Sequence, residues 1–593
     1  MGTSPYQLPE ISAPRLAGAD TSQLPHDPGT ESSTYIGRSH YTGDAPLDEA
    51  TARAYAISRH TGLSELEQKT LELWNVYALP PRAVHESLIE AFNEYCHPWM
   101  PVLASNDVLS RGTSDNSLLL SQAVYLAASR VTTSASIQAF SSPADIYQRA
   151  KALYWVGYEK TPLTVIKAIT MLHWYTPDGP AHVSYDTSEY WLKIGVGLAY
   201  QIGLNREPSA GPERAIRRRM WWTLVVSSSS VSRASLFALN CFAAIVPVKW
   251  TALNSRLKAD IEQIRDSLIS VSRGRPRAIQ LEDADVSPPT MEDFVESPAN
   301  GELFIAYVEI CRATGDLVQA YSRKKFTSDE RSKMDATLFR WTRMLPSHLR
   351  LADYSVTTQM YELRPHDFRA RQLHVPYLAC IIIMSRSGSP HTGVSPAAIF
   401  AASFLAGIYE DFLARNLVAR LSPTFTTFGF MAGLSLISLR PYPALWAAAQ
   451  SDLTTIQNAL QELSARWKSA IGASKVINKA LQSEVHTGHL SNAAPLPLLS
   501  RDEAPLFEGF PLELCRMWRA YETQRASQQA LDLELEPVLA RHADPMAEVL
   551  TELYGQQAPN TSLGLEFGSG EALFGEASFE GIPDYFWGDW GLN

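Results

Sequence analysis

The stretch SEYWLKIGVGLAYQIGLNRE, residues 188–207, decides the fold class of this 593-residue chain. Its apolar residues recur every three or four positions, so they share one face of a helix that neighbouring helices can bury. The residues of this face are Trp191, Ile194, Gly195, Leu198 and Ile202. Ser188 can cap the start of the helix, and Gly203 stands near its end. The pattern predicts a packed central helix.

The same periodicity extends to both sides of this stretch. Segments with helical spacing are 63–79, 86–99, 117–130, 147–160, 162–175, 302–321, 337–345, 395–418 and 452–472. Strands and helices do not alternate along the chain, and no unit of roughly 20 to 50 residues repeats. The sequence therefore predicts an all-α fold.

Composition divides the chain into three parts. Residues 1–60 are rich in Ser, Thr, Pro and Gly and show no periodicity, which is typical of a disordered N-terminal segment. Residues 61–490 carry the helical patterns and predict a single large helical domain. Residues 491–593 predict a linker followed by an acidic tail, because residues 542–593 contain nine acidic residues and no Lys or Arg.

Charge and cysteine content exclude several classes of protein. The formal net charge of −11 opposes non-specific attraction to nucleic acid or anionic lipid. Apolar runs are far shorter than the roughly 18 residues of a membrane span, and the N-terminus lacks an apolar signal, so we expect neither secretion nor a membrane partner. The cysteines are odd in number and far apart, which favours reduced core thiols in an intracellular protein. They are Cys96, Cys241, Cys311, Cys380 and Cys515.

Motifs for enzyme chemistry are not found in the sequence. It contains no phosphate-binding loop, dinucleotide fingerprint, zinc-protease motif or nucleophile elbow. A helical lyase or cyclase would need clustered acids to hold Mg²⁺, and the nearest candidate, EDAD at 282–285, has no second cluster to match it. We therefore predict no catalytic residue, no metal ligand and no cofactor in this chain, with a helical lyase or cyclase as the enzyme alternative.

Several local signatures occur in an order that resembles a known family. They include LELWNVYALPPRAVHESLIEAFNEYCHPWMPVL at 71–103, ERAIRRRMWW at 213–222, RDSLISVSRGRP at 265–276 and FIAYVEICRATGDL at 304–317. Over about residues 64–475 the chain resembles the central regulatory region of fungal-specific transcription factors, and within that family the cutinase and acetamidase regulators. The residues that carry the family signature are Arg217, Arg218, Arg219, Trp221, Trp222, Arg273, Gly274, Arg275 and Pro276.

The resemblance implies a helical domain that responds to an effector, attached to a separate DNA-binding module. In this family that module is a binuclear zinc cluster built from six closely spaced cysteines. None of the five cysteines here has C-x-x-C spacing, so we expect zinc only if a cluster lies upstream in the full-length protein. Either Met1 is an internal start, or the protein acts on DNA through a partner.

The three arginines 217–219 have two interpretations. They lead directly into Trp221 and Trp222, which favour burial, so we predict structural ion pairing with the aliphatic stems packed on apolar surface. The other interpretation is nuclear import or contact with DNA phosphates, which would need further basic neighbours on one exposed face.

Residues 226–263 interrupt the family pattern. Without these residues the sequence is RRRMWWTLVIRDSLISVSRGRP, whose apolar residues fall at helical intervals up to Gly274. The codons at the two ends, for Val226-Ser227 and Gln263, are compatible with fungal splice signals. We hypothesise a retained intron, and a genuine surface insertion is the alternative.

The C-terminal tail alternates acids with large apolar side chains, and its glycines oppose a stable helix. This composition predicts an acidic activation segment whose aromatic residues bind a coactivator groove. Its residues are Phe579, Asp584, Tyr585, Phe586, Trp587, Asp589 and Trp590. The alternative is a tail that packs its aromatic residues on its own helical body.

Together these observations predict a nuclear regulator of RNA polymerase II transcription that controls a catabolic or secondary-metabolite pathway. The expected partners are DNA, reached indirectly or through the missing module, transcriptional coactivators, a small-molecule effector and a second copy of the chain. The alternative from another class is a helical coregulator that does not bind DNA.

Overall fold

A computed structural model describes residues 62–104, 107, 116–176, 184–245, 278–323, 326–385, 395–440, 442–482, 499 and 503–523, with the backbone alone for 230–245, 322 and 444. The N-terminal segment 1–60, residues 273–276 and the activation segment predicted from the sequence lie outside these residues.

The first half of the described chain is a cluster of short helices around α3. The helices are α1 (Glu65–Leu73), α2 (Arg82–Ala91), α3 (Leu118–Val131), α4 (Ala135–Phe140), α5 (Pro143–Trp155), α6 (Pro162–Leu172) and α7 (Ser188–Gln201), with a π-helical turn at Phe92–Cys96 after α2. Every residue of α3 after Leu118 is buried, because α2, α5, α6 and the π-helical turn pack around it. This helix has no charged residue before Arg130, as its burial requires.

Helix α7 confirms the helix predicted from residues 188–207 and corrects its cap. The side chain of Thr187, not Ser188, accepts the backbone N–H of Tyr190. Ser188 instead donates to the carbonyl of His173. Gly203 follows the helix with φ +66°, a conformation that glycine adopts without strain.

The second half is built from longer helices. They are α8 (Arg214–Ile245), α9 (Pro298–Ser322), α10 (Ser328–Met344), α11 (Phe368–Ser385), α12 (Pro396–Ala414), α13 (Thr424–Ile437), α14 (Pro443–Ser464) and α15 (Lys468–Gln482). Helix α9 packs along α8 and α11, and helices α11 to α15 pack in succession. Helix α12 is long and apolar enough to span a membrane, but 78% of its most apolar window is buried in the fold, which identifies it as a core helix.

The predicted all-α fold is confirmed, with one small exception. Strands β1 (Ala352–Ser355) and β2 (Met360–Leu363) form an antiparallel hairpin in which Tyr354 pairs with Tyr361. The two rings meet edge to face at 5.3 Å. The sequence pattern did not predict this hairpin, since each strand is only four residues long.

The segment 452–472, predicted as one helix, is broken between α14 and α15. Residues 465–467 form a turn that buries Trp467 to 5% exposure. Its indole N–H donates to the carbonyl of Leu421 at 3.2 Å. The tertiary contact of one tryptophan thus ends a helix whose local pattern would have continued.

The C-terminal boundary of the packed body also differs from the prediction. Residues 503–523 were assigned to the linker, yet five of their apolar side chains are buried against α11 and α12: Leu506, Phe507, Phe510, Leu514 and Met517. The ring of Phe510 stacks on Tyr377 of α11 at 5.5 Å, and the hydroxyl of Tyr377 donates to Leu506 at 2.7 Å. The helical body therefore extends to about residue 523. This segment contains prolines and short 3₁₀ turns, so its sequence lacks the helical periodicity that would have predicted its packing.

Candidate functional site: the arginine–tryptophan segment of α8

Arg218 forms the centre of a buried ion-pair network at the start of α8. Its side chain is 3% exposed, and Nη1 donates to both carboxylate oxygens of Asp293 at 3.1 Å. Nη2 donates to the carboxylate of Glu207. Burial alone would lower the pKa of Arg218, but the hydrogen bonds and charges of the two acids outweigh it and raise the pKa. The guanidinium is thus held permanently charged.

The two acids that bind Arg218 are themselves fixed by backbone groups. Asp293 accepts the backbone N–H of Thr290 at 2.9 Å in a capping box at the start of a 3₁₀ turn. Glu207 accepts the backbone N–H of Ser287 at 2.8 Å. Burial by itself would raise the pKa of Glu207, but these hydrogen bonds from Ser287 and Arg218 lower it. One arginine therefore ties the loop after α7 and the loop before α9 to α8.

Arg217 and Arg219 bind backbone carbonyls of neighbouring segments. Arg217 Nη2 donates to Ile202 at 2.7 Å, and Arg219 Nη2 donates to Leu103 at 3.4 Å. Arg219 is 8% exposed and lies 5.5 Å from the ring centroid of Phe294. Burial lowers the pKa of both arginines. For Arg218 and Arg219 this geometry favours structural ion pairing and packing over contact with DNA phosphates, because buried guanidinium groups cannot reach a phosphate. The Arg217 side chain is 26% exposed, so burial does not decide between the two interpretations for this residue.

The two tryptophans after the arginines lie in the core. Trp221 is fully buried and meets Tyr200 of α7 edge to face at 5.8 Å. Trp222 is 3% exposed, and its indole N–H donates to the carbonyl of Ser287 at 2.8 Å. Arg312 of α9 lies 5.2 Å from the Trp222 ring centroid. The segment is thus a joint at which α7, α8 and α9 meet.

Sequence reasoning missed the acids that complete this joint. Glu207 is 11 positions and Asp293 is 75 positions from Arg218. The T-x-x-D spacing of Thr290 and Asp293 is a local capping signal, but it does not indicate an arginine partner. The signature residues 273–276 and the activation segment lie outside the described residues and stay predictions.

A metal centre is not found within the described ranges. No group of three or more His, Cys, Asp or Glu side chains in this part of the chain could hold a metal ion. The four described cysteines are buried in different elements, and burial raises the pKa of the Cys96 and Cys515 thiols, the latter to about 12. Thiols buried in separate elements do not fit the zinc cluster that the family resemblance implies, because its six cysteines must lie close together.

The segment that contains the arginines and tryptophans of this joint is similar to known proteins. Residues 89–227 match the family described as fungal specific transcription factor domain. The chain is 25% identical over 71% of its length to cutinase transcription factor 1 alpha of Fusarium vanettenii, covering 45% of that protein. It is 25% identical over 74% of its length to the acetamidase regulatory protein of Aspergillus fumigatus, covering 54% of it.

A third relative is the fusaric acid cluster transcription factor FUB12 of Gibberella moniliformis, 22% identical over 55% of this chain and 46% of the relative. No solved structure matches the chain. The chain spans about half the length of the curated relatives it matches. These relatives are named as regulators, in agreement with the prediction that the chain is not an enzyme. The resemblance inferred from the sequence is confirmed: residues 89–227 match the fungal specific transcription factor domain, and the chain is similar to the cutinase and acetamidase regulators.

Proposed function

We propose that this chain is a regulator of RNA polymerase II transcription. The observation that carries the proposal is the match of residues 89–227 to the fungal specific transcription factor domain. The packing of the signature segment supports a regulatory body, because its arginines and tryptophans serve contacts inside the domain. The DNA sequence is read by a module outside this chain or by a partner, since none of the five cysteines has the spacing of a zinc cluster.

The place of action in this proposal is the nucleus, and the targets are genes of a catabolic or secondary-metabolite pathway. The names of the relatives, which refer to cutinase, acetamidase and a fusaric acid cluster, support this choice. A small-molecule effector and a second copy of the chain are further partners in the proposal.

In this proposal the acidic tail is the part of the regulator that activates transcription. Acids steer it towards basic coactivator surfaces, and the aromatic residues bind an apolar groove. The test joins residues 560–593, and separately the full chain, to an unrelated DNA-binding domain and measures a reporter gene. We expect activation that falls at least severalfold when Phe586, Trp587 and Trp590 are changed to alanine.

The reporter experiment also separates the two classes of function. No reporter output from either fusion would reject the activator role and leave the coregulator alternative. Coding sequence upstream of Met1 with an in-frame C-x-x-C-x₆-C run would identify a protein that binds DNA itself. A full-length transcript without such a run would favour action through a partner.

We also propose that residues 226–263 derive from a retained intron. The family match ends at residue 227, the second residue of this stretch. In a spliced chain Ile264, Asp266 and Ser267 would take the places of Val226, Ser228 and Ser229.

The described part of α8 supports this exchange. Val226 and Ser229 are buried, and isoleucine and serine would keep their chemical character at those two positions. The hydroxyl of Ser228 accepts the backbone N–H of Ala278 at 3.1 Å, and an aspartate carboxylate can accept the same N–H. Sequencing mature transcripts across this junction tests the proposal: messages that retain codons 226–263 would establish a genuine insertion.

A further inference from the structure

Three arginines lie where helices α3 and α14 end, because the 3₁₀ turn Val418–Arg420 packs against both helices. Arg130 lies in the last turn of α3, Arg466 lies in the turn after α14, and Arg420 lies in the 3₁₀ turn before α13. In the described part of the chain none of the three forms an ion pair with a carboxylate. This distinguishes them from Arg218, which is neutralised by two acids.

Two of the three arginines cap the ends of the helices. Arg466 donates to the carbonyls of Arg130 at 2.9 Å and Thr132 at 2.7 Å, and Arg130 donates in return to the carbonyl of Arg466. Each helix end supplies roughly half a negative charge. Against three guanidinium charges, the two helix ends leave about two positive charges without compensation.

Arg420 makes no such contact. Its guanidinium lies 4.4 Å from the ring centroid of Tyr95, in the π-helical turn after α2, and it donates no side-chain hydrogen bond within the described ranges. Its Nε is fully buried without a partner, and so is the Nε of Arg130, a residue that is 91% buried. Buried donors of this kind are ordinarily satisfied, and leaving one unpaired costs on the order of 1–3 kcal/mol.

The charges of the cluster act on one another. Burial first and then the charge of Arg420 lower the pKa of Arg466, and burial and Arg466 lower the pKa of Arg130 to about 10. Aromatic rings flank the cluster. Trp467 lies 4.4 Å and Tyr175 lies 5.6 Å from the Arg130 guanidinium carbon.

We propose that Arg420, backed by Arg130 and Arg466, is the binding site for a small oxyanion, a carboxylate or a phosphate group. A guanidinium fork matches either group in a bidentate arrangement, and an anion removes the mutual repulsion of the three cations. The neighbouring rings favour a ligand whose anionic group is attached to an apolar body. The assignment of this site to the effector rests on the proposed function, whereas binding itself does not.

The test titrates the full chain with sodium benzoate and, separately, with inorganic phosphate in a low-chloride buffer. Calorimetry and the fluorescence of the tryptophans, which include Trp467, report binding. We expect saturable binding of at least one probe, with the dissociation constant raised at least about tenfold in Arg420→Gln because a charge-assisted hydrogen bond is lost. Arg415→Gln is the matched control, since Arg415 is exposed and paired with Asp411 at 3.0 Å.

The pattern across probes and variants decides the outcome. Binding of benzoate alone identifies a carboxylate, and binding of phosphate alone identifies a phosphate group. Failure of both probes to saturate, or equal affinity in Arg420→Gln and the natural chain, would overturn the site. If Arg420→Gln does not fold, Arg420→Lys replaces it: this variant keeps the charge without the fork and must bind severalfold more weakly. The reporter test of the tail does not depend on this result, so either proposal can fail alone.

Discussion

The docking of residues 503–523 on α12 leads to a prediction for Gly407→Ala. A Cβ atom on Gly407 would lie 2.1 Å from the carbonyl oxygen and 2.9 Å from the carbonyl carbon of Leu514. These are backbone atoms, so a side-chain rotation cannot relieve the overlap. The turn at Leu512–Leu514 must move away by more than about 1 Å to reach van der Waals contact.

Two opposing effects set the size of the change in the free energy of unfolding. Alanine in place of glycine in a helix interior is worth up to about 1 kcal/mol in favour of the folded state. Overpacking a core costs about 1–3 kcal/mol, and the upper part of this range applies because the opposing atoms are backbone. We expect Gly407→Ala to lower the free energy of unfolding by about 2 kcal/mol and to loosen residues 503–523.

Urea denaturation and hydrogen exchange of the full chain measure these two effects. Gly197→Ala in α7 is the matched control, because nothing lies within 4 Å of its added Cβ. The control should be neutral or up to about 1 kcal/mol more stable. A Gly407→Ala protein as stable as this control, with unchanged exchange in residues 503–523, would refute the docking of the segment.

Three further predictions concern buried ionisable groups. Arg218→Met should lower the free energy of unfolding by about 3–5 kcal/mol, because it leaves Asp293 buried without its partner. The control, Arg206→Met at an exposed ion pair, should change the free energy of unfolding by no more than about 0.5 kcal/mol. Comparable urea midpoints for the two variants would contradict the buried network. Burial lowers the pKa of His374 from 6.5 to about 4 in the folded state, so its contribution is present above pH 6.5 and lost as the pH falls through 4. His374→Gln should remove roughly 3 kcal/mol of pH dependence from this window, and an unchanged acid limb of the stability profile would show that His374 is not buried neutral. Burial raises the pKa of Asp452 from 3.8 to about 6, so its contribution is present below pH 3.8 and lost as the pH rises through 6. Asp452→Asn should therefore flatten stability between pH 4 and 6, and a variant that keeps the full slope would argue against this assignment.

The sequence by itself determined the fold class and most of the helices. The stripe of residues 188–207 is a local property of the chain, since apolar side chains at helical spacing form one face whatever the helix packs against. The end of α7 at Gly203 is local in the same way, because glycine accepts a positive φ wherever it stands. The family resemblance was also visible in the sequence, because the short signature segments occur along the chain in the order typical of the family.

Only the tertiary structure decided which groups meet. Asp293 becomes the partner of Arg218 across 75 positions because the loop before α9 returns to α8. Arg130 and Arg466 meet across 336 positions because α3 and α14 end side by side. Ion pairs and helix caps of this kind depend on where distant segments are placed, and the periodicity of any one segment contains no information about that placement.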